Sequence, residues 1–297
     1  MNIYDCFMYF DEDLLLDLRL NILNNYVSKF IISEATYTHN GNKKKLKFDI
    51  NNFKKFKDKI KYVIVDEQPP NILKINDNDS LEIKGEKLIL NGYARDNYQR
   101  SRLTDGIQEA LDNDIIIISD LDEIPNLKNL DFNGINNKII QFKQKMFYYK
   151  LNLHYPNFYW YGSKACKKKN LISPQWLRNI KSKKYSKFRI DLIFNKKKYN
   201  DIFYVLDGGW HFTCIRTPEE LEKKLLNFAH HYEFEQSGLK LKDLKKLIHE
   251  KRIMYDHNLN KESTNKWSGI TILKKISSLE LPEYINLNNH KYKEWLD

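Results

Sequence analysis

The chain has 297 residues, which is enough for one large domain or two modest ones. Hydrophobic residues make up 41% of it and aromatic residues 13%, a composition that can bury a core and excludes wholesale disorder. The net charge of +11 and the pI of about 9.2 raise the question of a polyanionic partner such as nucleic acid or a membrane. Most of that charge is lysine in short clusters, which is typical of a solvated surface.

The cysteines and the amino terminus bear on the compartment. Cys6, Cys166 and Cys214 lie far apart, so the sequence contains neither a disulfide framework nor a Cys-x-x-Cys metal motif. The first residues lack the basic start and unbroken apolar stretch of a signal peptide, and no window approaches the roughly 18–20 apolar residues of a membrane span. We therefore expect a reduced, cytoplasmic protein, with peripheral contact to the inner face of a membrane left open.

Short apolar segments alternate with helical patterns in the first 120 residues. The pattern predicts strands over 3–10, 28–35, 60–67 and 114–120, and helices over 11–27 and 93–113. Strands that alternate with helices form mainly parallel sheets that are covered on both faces. Four consecutive isoleucines in the fourth strand fit this position, because such a strand is buried on both sides.

The sequence changes character after Pro125. A strongly aromatic, strand-like region follows, and then amphipathic helices are predicted over 217–234 and 239–257. There is no internal repeat and no Gly/Ser linker. We predict a single α/β domain whose second half completes the sheet, and divide it into 1–125, 126–235 and a C-terminal helical segment, 236–297.

Three carboxylates follow the fourth predicted strand in the sequence SDLDEIP, residues 119–125. Ligands of open α/β sheets bind outside the carboxyl ends of the strands, so Asp120 and Asp122 can turn towards one site. Two carboxylates that close repel each other unless one is protonated or a cation lies between them. Hard oxygen ligands suit Mg²⁺ or Mn²⁺, which also binds diphosphates. The alternative is that these acids only end the strand and cap a turn before Pro125.

Other functions also use acids at this position. Phosphatases of the haloacid dehalogenase type have an aspartate nucleophile and a second aspartate two residues later, but usually followed by Gly-Thr, where this chain has Glu123 and Ile124. A metal-dependent nuclease or a basic nucleic-acid-binding protein would use the positive charge. The nuclease would need further metal ligands that the sequence does not identify, and we expect no nucleic-acid partner.

The SDLDEIP segment, together with GGWHF about ninety residues later, resembles glycosyltransferase family 17. Further similar segments occur in the same order, and the resemblance covers most of residues 3–235: EDLLLDLRL (12–20), SEATYTHNGNKKKLKF (33–48), RDNYQR (95–100) and GWHFTCIRTPE (209–219). The resemblance implies a GT-A-like fold, a nucleotide-sugar donor, a divalent metal and inversion at the anomeric carbon. Because the family includes an N-acetylglucosaminyltransferase, it also suggests UDP-GlcNAc as the donor.

The resemblance also bears on the acceptor. Vertebrate members carry an amino-terminal membrane anchor, whereas this sequence starts at the first predicted strand. We therefore expect a bacterial or viral enzyme that acts on a surface polysaccharide or a lipid-linked glycan, not on protein N-glycans. In this reading 1–125 binds the nucleotide-sugar and 126–235 forms the acceptor side.

Carried over to matching positions, the resemblance assigns Asp120 and Asp122 to the metal and the diphosphate. It places His211 nearby, as a third metal ligand or as a core histidine beside Trp210. We expect Glu34, Arg95 and Arg100 on the donor side. For Glu34 the alternative is a capping role, and for Arg100 an ion pair with Asp96 one turn earlier.

Acceptor-side and catalytic residues are predicted less directly. Trp160 and Trp210 are candidates for contact with a sugar, although an aromatic run is more often core. Lys164 and Arg178 could contact phosphates or the acceptor, although most lysines of this chain are solvated, and His230 could border the acceptor. Inversion needs a carboxylate that takes the acceptor's proton. The candidates, in order, are Glu123, Asp207 and Glu233, and for Glu123 the alternative is an acid that orients the loop by binding backbone N–H groups.

Overall fold

Two β-sheets organise the protein, for which a computed structural model describes residues 1–183, 199, 201–227, 231–257, 267 and 269–297. The strands are β1 (Ile3–Met8), β2 (Lys29–Ala35), β3 (Ile60–Val65), β4 (Ile115–Asp120), β5 (Glu123–Pro125), β6 (Ile139–Phe142), β7 (Gln144–Tyr148), β8 (Leu153–Trp160), β9 (Lys164–Lys167), β10 (Ile202–Val205), β11 (Gly209–Thr213), β12 (Arg252–Ile253), β13 (Thr271–Ile272) and β14 (Lys274–Lys275). The helices are α1 (Asp13–Leu23), α2 (Leu81–Ser101), α3 (Pro174–Asn179), α4 (Pro218–Asn227), α5 (His231–Gln236), α6 (Leu241–His249) and α7 (Glu283–Leu287).

The larger sheet has seven strands in the order β10-β6-β9-β4-β1-β2-β3. Only β9 is antiparallel to its neighbours in this sheet. The register pairs Met8 at the end of β1 with Asp120 on one side and with Ser33 of β2 on the other. Because β2 and β4 flank β1, the strand order reverses between β1 and β4, and a crevice opens there at the carboxyl ends.

The four isoleucines of β4 are the centre of the core. Each of Ile115, Ile116, Ile117 and Ile118 is at most 1% exposed. Ile115 and Ile117 pack in the core cluster that contains the leucines of α1, whereas Ile116 and Ile118 pack in the cluster on the opposite face. Full burial stabilises each side chain by roughly 1.5–3 kcal/mol, so the end of β4 is fixed on a rigid strand.

The smaller sheet has five strands in the order β14-β8-β7-β11-β5. Its strand β11 is antiparallel to β5, with His211 opposite Glu123. Gly208 and Gly209 precede this pair at a very close approach: an added Cβ would lie 2.3 Å from the Lys143 nitrogen and 2.2 Å from the Ile124 oxygen, respectively. Gly209 also has a φ of +111°, so the Gly-Gly sequence is needed to bring β11 against β5.

The mixed α/β architecture with a mainly parallel central sheet is as predicted, but several details differ. The helix predicted over 93–113 begins at Leu81 and ends at Ser101, and a 3₁₀ turn follows. The helix predicted over 217–234 is two helices, α4 and α5. The second half also builds a sheet of its own, which was not predicted. Within the described residues, no helix has the length and apolarity that crossing a bilayer requires.

Candidate active site at the end of β4

Asp120, the last residue of β4, lies between two arginines. Its Oδ1 is 3.0 Å from Nη2 of Arg100, and its Oδ2 is 2.6 Å from Nη2 of Arg178. Burial raises the pKa of this carboxyl, but the charges of Arg178 and Arg100 outweigh that effect and hold the pKa well below its usual range. Asp120 is therefore ionised, and its side chain is still 34% exposed.

Asp122 has weaker contacts with His211 and Lys224. Its Oδ1 is 3.5 Å from Nε2 of His211, and its Oδ2 is 3.8 Å from Nζ of Lys224. Burial raises the pKa of Asp122, but the charge and hydrogen bond of His211, followed by Lys224, lower it below its usual range. Asp120 and Asp122, hereafter the carboxylate pair, thus remain charged because cations surround them.

Glu123 is buried and holds the turn that carries the carboxylate pair. It accepts hydrogen bonds from the Asp120 backbone nitrogen at 2.8 Å, from Arg178 at 2.8 and 3.0 Å, and from the Trp160 indole. A Cβ on Gly162 would lie 2.1 Å from this carboxylate, so glycine leaves the room it needs. This arrangement favours a positioning role for Glu123 over the predicted role as general base.

Arg19, a residue of α1 for which no role at the site was predicted, also fixes this turn. Its guanidinium is fully buried, makes a bidentate contact with Asp5 at 2.6 and 2.7 Å, and donates to the carbonyl oxygens of residues 120, 121 and 123. A buried charge needs a partner, and Asp5 supplies it. One signal was present in the sequence: Arg19 is four residues after Leu15 and therefore lies on the apolar face of the predicted helix.

A second group of charges, also not predicted, continues from Asp122 along the end of β1. Lys224 lies 3.9 Å from Glu12 as well, while Arg216 is 2.9 Å from Glu12 and 2.6 Å from Asp11. Asp11 and Glu12 follow β1 directly, whereas Arg216 precedes α4 and Lys224 lies on it. Opposite charges alternate along this row, which connects the carboxylate pair to the end of the neighbouring strand.

Two residues predicted on the donor side have other partners. Glu34 is fully buried and accepts from Lys44, from the Lys47 and Phe48 nitrogens at 2.8 and 3.0 Å, and from the Tyr62 hydroxyl at 2.8 Å. Arg95 donates to Gln68 at 2.8 Å and to the carbonyl of residue 39 at 3.1 Å. Both side chains hold the region after β2, so these positions argue against direct contact with the donor.

Arg100 forms the ion pair with Asp96 that was predicted as the alternative to a donor contact. Besides Asp120 it binds Asp96 with two hydrogen bonds, at 2.7 and 3.0 Å, and Gln175 at 2.7 Å. Lys164, predicted on the acceptor side, is buried and donates to the carbonyl oxygens of Arg178 and Ile180, each at 2.5 Å. Lys164 therefore supports the end of α3, and this argues against contact with an acceptor.

Trp210 and Asp207 lie away from the carboxylate pair. The indole of Trp210 donates to the carbonyl of Glu280 at 2.8 Å, and because side chains alternate along a strand, it points away from the face that carries His211. Asp207 accepts a hydrogen bond from Asn126 at 3.0 Å. Asn126 follows β5 and is separated from Asp122 by about 13 Å, at the spacing of residues along a β-strand. That separation argues against Asp207 as the base.

Three candidates remain, and the structure gives a different answer for each of them. Trp160 joins the site: its ring centroid is 5.2 Å from that of His211. Glu233 of α5 lies close enough for its charge to add to burial in raising the pKa of Tyr93 and of Tyr255. His230 lies outside the described residues.

The side chains around Asp122 suit a divalent cation. Nε2 of His211 faces Asp122 at 3.5 Å, whereas its Nδ1, on the other side of the ring, is buried without a hydrogen-bond partner among the described residues. Within the same part of the chain no group of three or more His, Cys, Asp or Glu side chains is arranged so that it could hold a metal ion by itself. This donor set fits Mg²⁺ or Mn²⁺, which commonly bind one or two carboxylates and complete their shell with substrate phosphates and water.

Comparison with known proteins identifies the family. The model of a family described as Glycosyltransferase family 17 matches residues 1–297, the whole chain. No curated protein matches the sequence with significance.

Proposed function

The chain belongs to glycosyltransferase family 17, and on this basis we propose that it transfers a hexosyl or N-acetylhexosaminyl group from a UDP-sugar to a glycan hydroxyl, with a divalent metal and with inversion. Membership makes the protein a glycosyltransferase and implies a nucleotide-sugar donor and a glycan acceptor. UDP-GlcNAc is the donor we expect, a polysaccharide or lipid-linked glycan is the acceptor, the fold is of the GT-A type, and the location is cytoplasmic.

The observation that carries this proposal is the position of the carboxylate pair. Asp120 ends β4 beside Met8 of β1, at the point where the strand order of the sheet reverses. Ligands of open α/β sheets bind in this crevice. Two ionised carboxylates there, next to Arg100, Arg178 and Lys224, support a diphosphate held both through a metal and by cationic side chains.

We assign the metal to Asp122 and His211. Asp120 is a further ligand through the lone pairs that its two arginine contacts leave free. When bound, the ion would neutralise charge on the leaving diphosphate. Arg100 and Arg178 keep Asp120 ionised and oriented, and Lys224 adds a positive charge beside Asp122.

For the proton transfer we propose Glu233. Inversion requires a base within reach of the attacking acceptor hydroxyl while the nucleoside diphosphate departs from the opposite side. Glu123 is buried among hydrogen-bond donors, and Asp207 lies far from the carboxylate pair. Glu233 lies near Tyr93, and in addition to burial the charges of Glu233 and Asp96 both raise the pKa of that tyrosine. Asp96 binds Arg100, so Tyr93 and Asp96 link Glu233 to the network around Asp120.

The test is a screen of UDP-, GDP- and CDP-sugars with Mn²⁺ for thermal stabilisation and for slow donor hydrolysis. We expect a UDP-sugar to raise the unfolding midpoint and to be hydrolysed only with the metal. The Asp122→Asn variant should lose both effects. Near-normal hydrolysis by Asp122→Asn, or equal hydrolysis in EDTA, would exclude the metal assignment.

A further inference from the structure

A pocket rich in lysine opens beside the carboxylate pair, above the carboxyl ends of β1 and β2. It has a volume of about 200 Å³, and Phe10 and Asp11 form its wall towards β1. Thr38, Asn42, Asn227 and five lysines line the rest, and the lysines give the lysine pocket its name: Lys43, Lys44, Lys45, Lys47 and Lys223. The proposed metal and diphosphate contacts do not account for these side chains.

The wall of the lysine pocket is held in place by buried contacts. Glu34 accepts from the backbone nitrogens of Lys47 and Phe48 and from the ammonium of Lys44. The Lys44 ammonium also lies 5.2 Å from the centre of the Phe10 ring. On the other side, Asn40 donates to the carbonyl of Leu226 at 3.2 Å, which joins the loop to α4. The lysines therefore surround a preformed cavity.

The charges in the pocket are not balanced by the protein. Of the five lysines, Lys44 alone forms an ion pair among the described residues. Asp11, the one carboxylate in the lining, is bound by Arg216 at 2.6 Å. Lysines that converge repel each other, so an anion with two or more charges would be stabilised here. A phosphoryl or diphosphate group has this charge and accepts several hydrogen bonds from ammonium groups.

The lysine pocket lies next to the proposed transfer site. Asp11 lines the pocket, and the next residue, Glu12, shares Lys224 with Asp122. This adjacency is what would allow one substrate to reach both places.

We propose that the lysine pocket binds a phosphoryl group of a substrate whose reacting end lies at the carboxylate pair, an inference that rests on the proposed function. The proposed function places the donor's diphosphate at the carboxylate pair, so a phosphate-bearing, lipid-linked acceptor is the source we propose, and the nucleoside diphosphate of the donor is the alternative that the experiments test. Both offer the same chemistry to the lysines, and direct binding measurements separate them.

The first experiment measures the binding of inorganic pyrophosphate in EDTA at low salt, so that no metal bridges the anion to the carboxylates. We expect the Lys43→Gln/Lys45→Gln/Lys47→Gln variant to bind about tenfold more weakly than the wild type, because three ammonium contacts are removed. Lys44 is left in place since it pairs with Glu34. The control variant, Lys54→Gln/Lys57→Gln/Lys242→Gln, loses the same charge at exposed positions outside the pocket and should bind within twofold of the wild type.

The second experiment compares UDP with farnesyl diphosphate on the same two variants. Weaker binding of UDP by the pocket variant alone assigns the pocket to the donor, and weaker binding of farnesyl diphosphate alone assigns it to a lipid-linked acceptor. Unchanged binding of pyrophosphate and of both diphosphates would overturn the proposal. Asp122→Asn separates this failure from that of the proposed function, because it should lose metal-dependent hydrolysis yet keep pyrophosphate binding in EDTA.

Discussion

Asp120, Asp122 and Glu123 are near neighbours in the sequence, yet their surroundings differ. Asp120 is held between two arginines at 3.0 and 2.6 Å, whereas the contacts of Asp122 with His211 and Lys224 are 3.5 and 3.8 Å. Looser contacts are exchanged more easily for a ligand, so Asp122 is the better candidate for metal binding. The sequence indicates that acids gather at the end of β4, but it does not show which acid is buried, because Arg178 lies 55 residues after Glu123.

The Glu123→Gln variant tests the positioning role. Glutamine removes one of the two carboxylates that pair with the buried guanidinium of Arg178, and because Asp120 remains, the cost is that of a lost charged hydrogen bond, about 1.5–3 kcal/mol. We expect the free energy of unfolding, measured with urea, to fall by that order. A variant as stable as the wild type that lacks only turnover would favour Glu123 as the base instead.

The Glu233→Gln variant tests the proposed base. A base contributes roughly 10²–10⁴-fold to the rate, so we expect a fall in kcat of this size with little change in the urea midpoint. The pH profile is the second measurement: the acidic limb of kcat should disappear in the variant. Turnover within threefold of the wild type would show that another group takes the proton.

At the scale of secondary structure elements, the buried strands were the most predictable part. β1 to β4 were located from their apolar runs with errors of one or two residues at their ends. The start of α2 was missed because Gly85 and Gly92 interrupt its helical pattern, although Ser80 caps it by accepting from the nitrogen of Ile83 at 3.2 Å. The second sheet was missed because its pairings, such as His211 with Glu123, join residues far apart in the chain.

Helix α1 supports the turn after β4 through Arg19, and this contact can be tested by substitution. Arg19→Met leaves Asp5 charged and unpaired in the core, which should cost about 3–5 kcal/mol in urea unfolding. The double variant Asp5→Asn/Arg19→Met removes that charge, so we expect part of the stability to return. Activity should stay low, because the carbonyl oxygens of residues 120, 121 and 123 still lack their donor. Full recovery of turnover would refute this role of α1.

At the scale of the whole molecule, stability should depend on pH through buried histidine. The pKa of His257 is lowered to about 3, mainly by burial and to a smaller extent by the charge of His211. Below the unfolded value of about 6.5 the unfolded state takes up a proton that the folded state does not, so stability falls as the pH decreases from about 6.5 towards 3. The slope for one such group is about 1.4 kcal/mol per pH unit.

We expect unfolding midpoints of the wild type to fall between pH 6.5 and 4.5 and the His257→Gln variant to show a smaller slope. His154, whose pKa is also lowered by burial, contributes in the same direction and should leave a residual slope. The carboxylate pair adds no slope in this window, because its pKa values are depressed and its contribution is lost only below about pH 4. Identical slopes in both proteins would contradict this assignment.

The central claim is that the end of β4 binds the metal and the diphosphate of an activated sugar. The most direct measurement is a crystal structure with Mn²⁺ and UDP, in which anomalous scattering locates the metal. We predict a manganese ion bound by Asp122 and His211, with Asp120 as a further ligand, and in contact with the diphosphate. A manganese ion or a diphosphate bound elsewhere, with Asp122 and His211 free of both, would contradict the account.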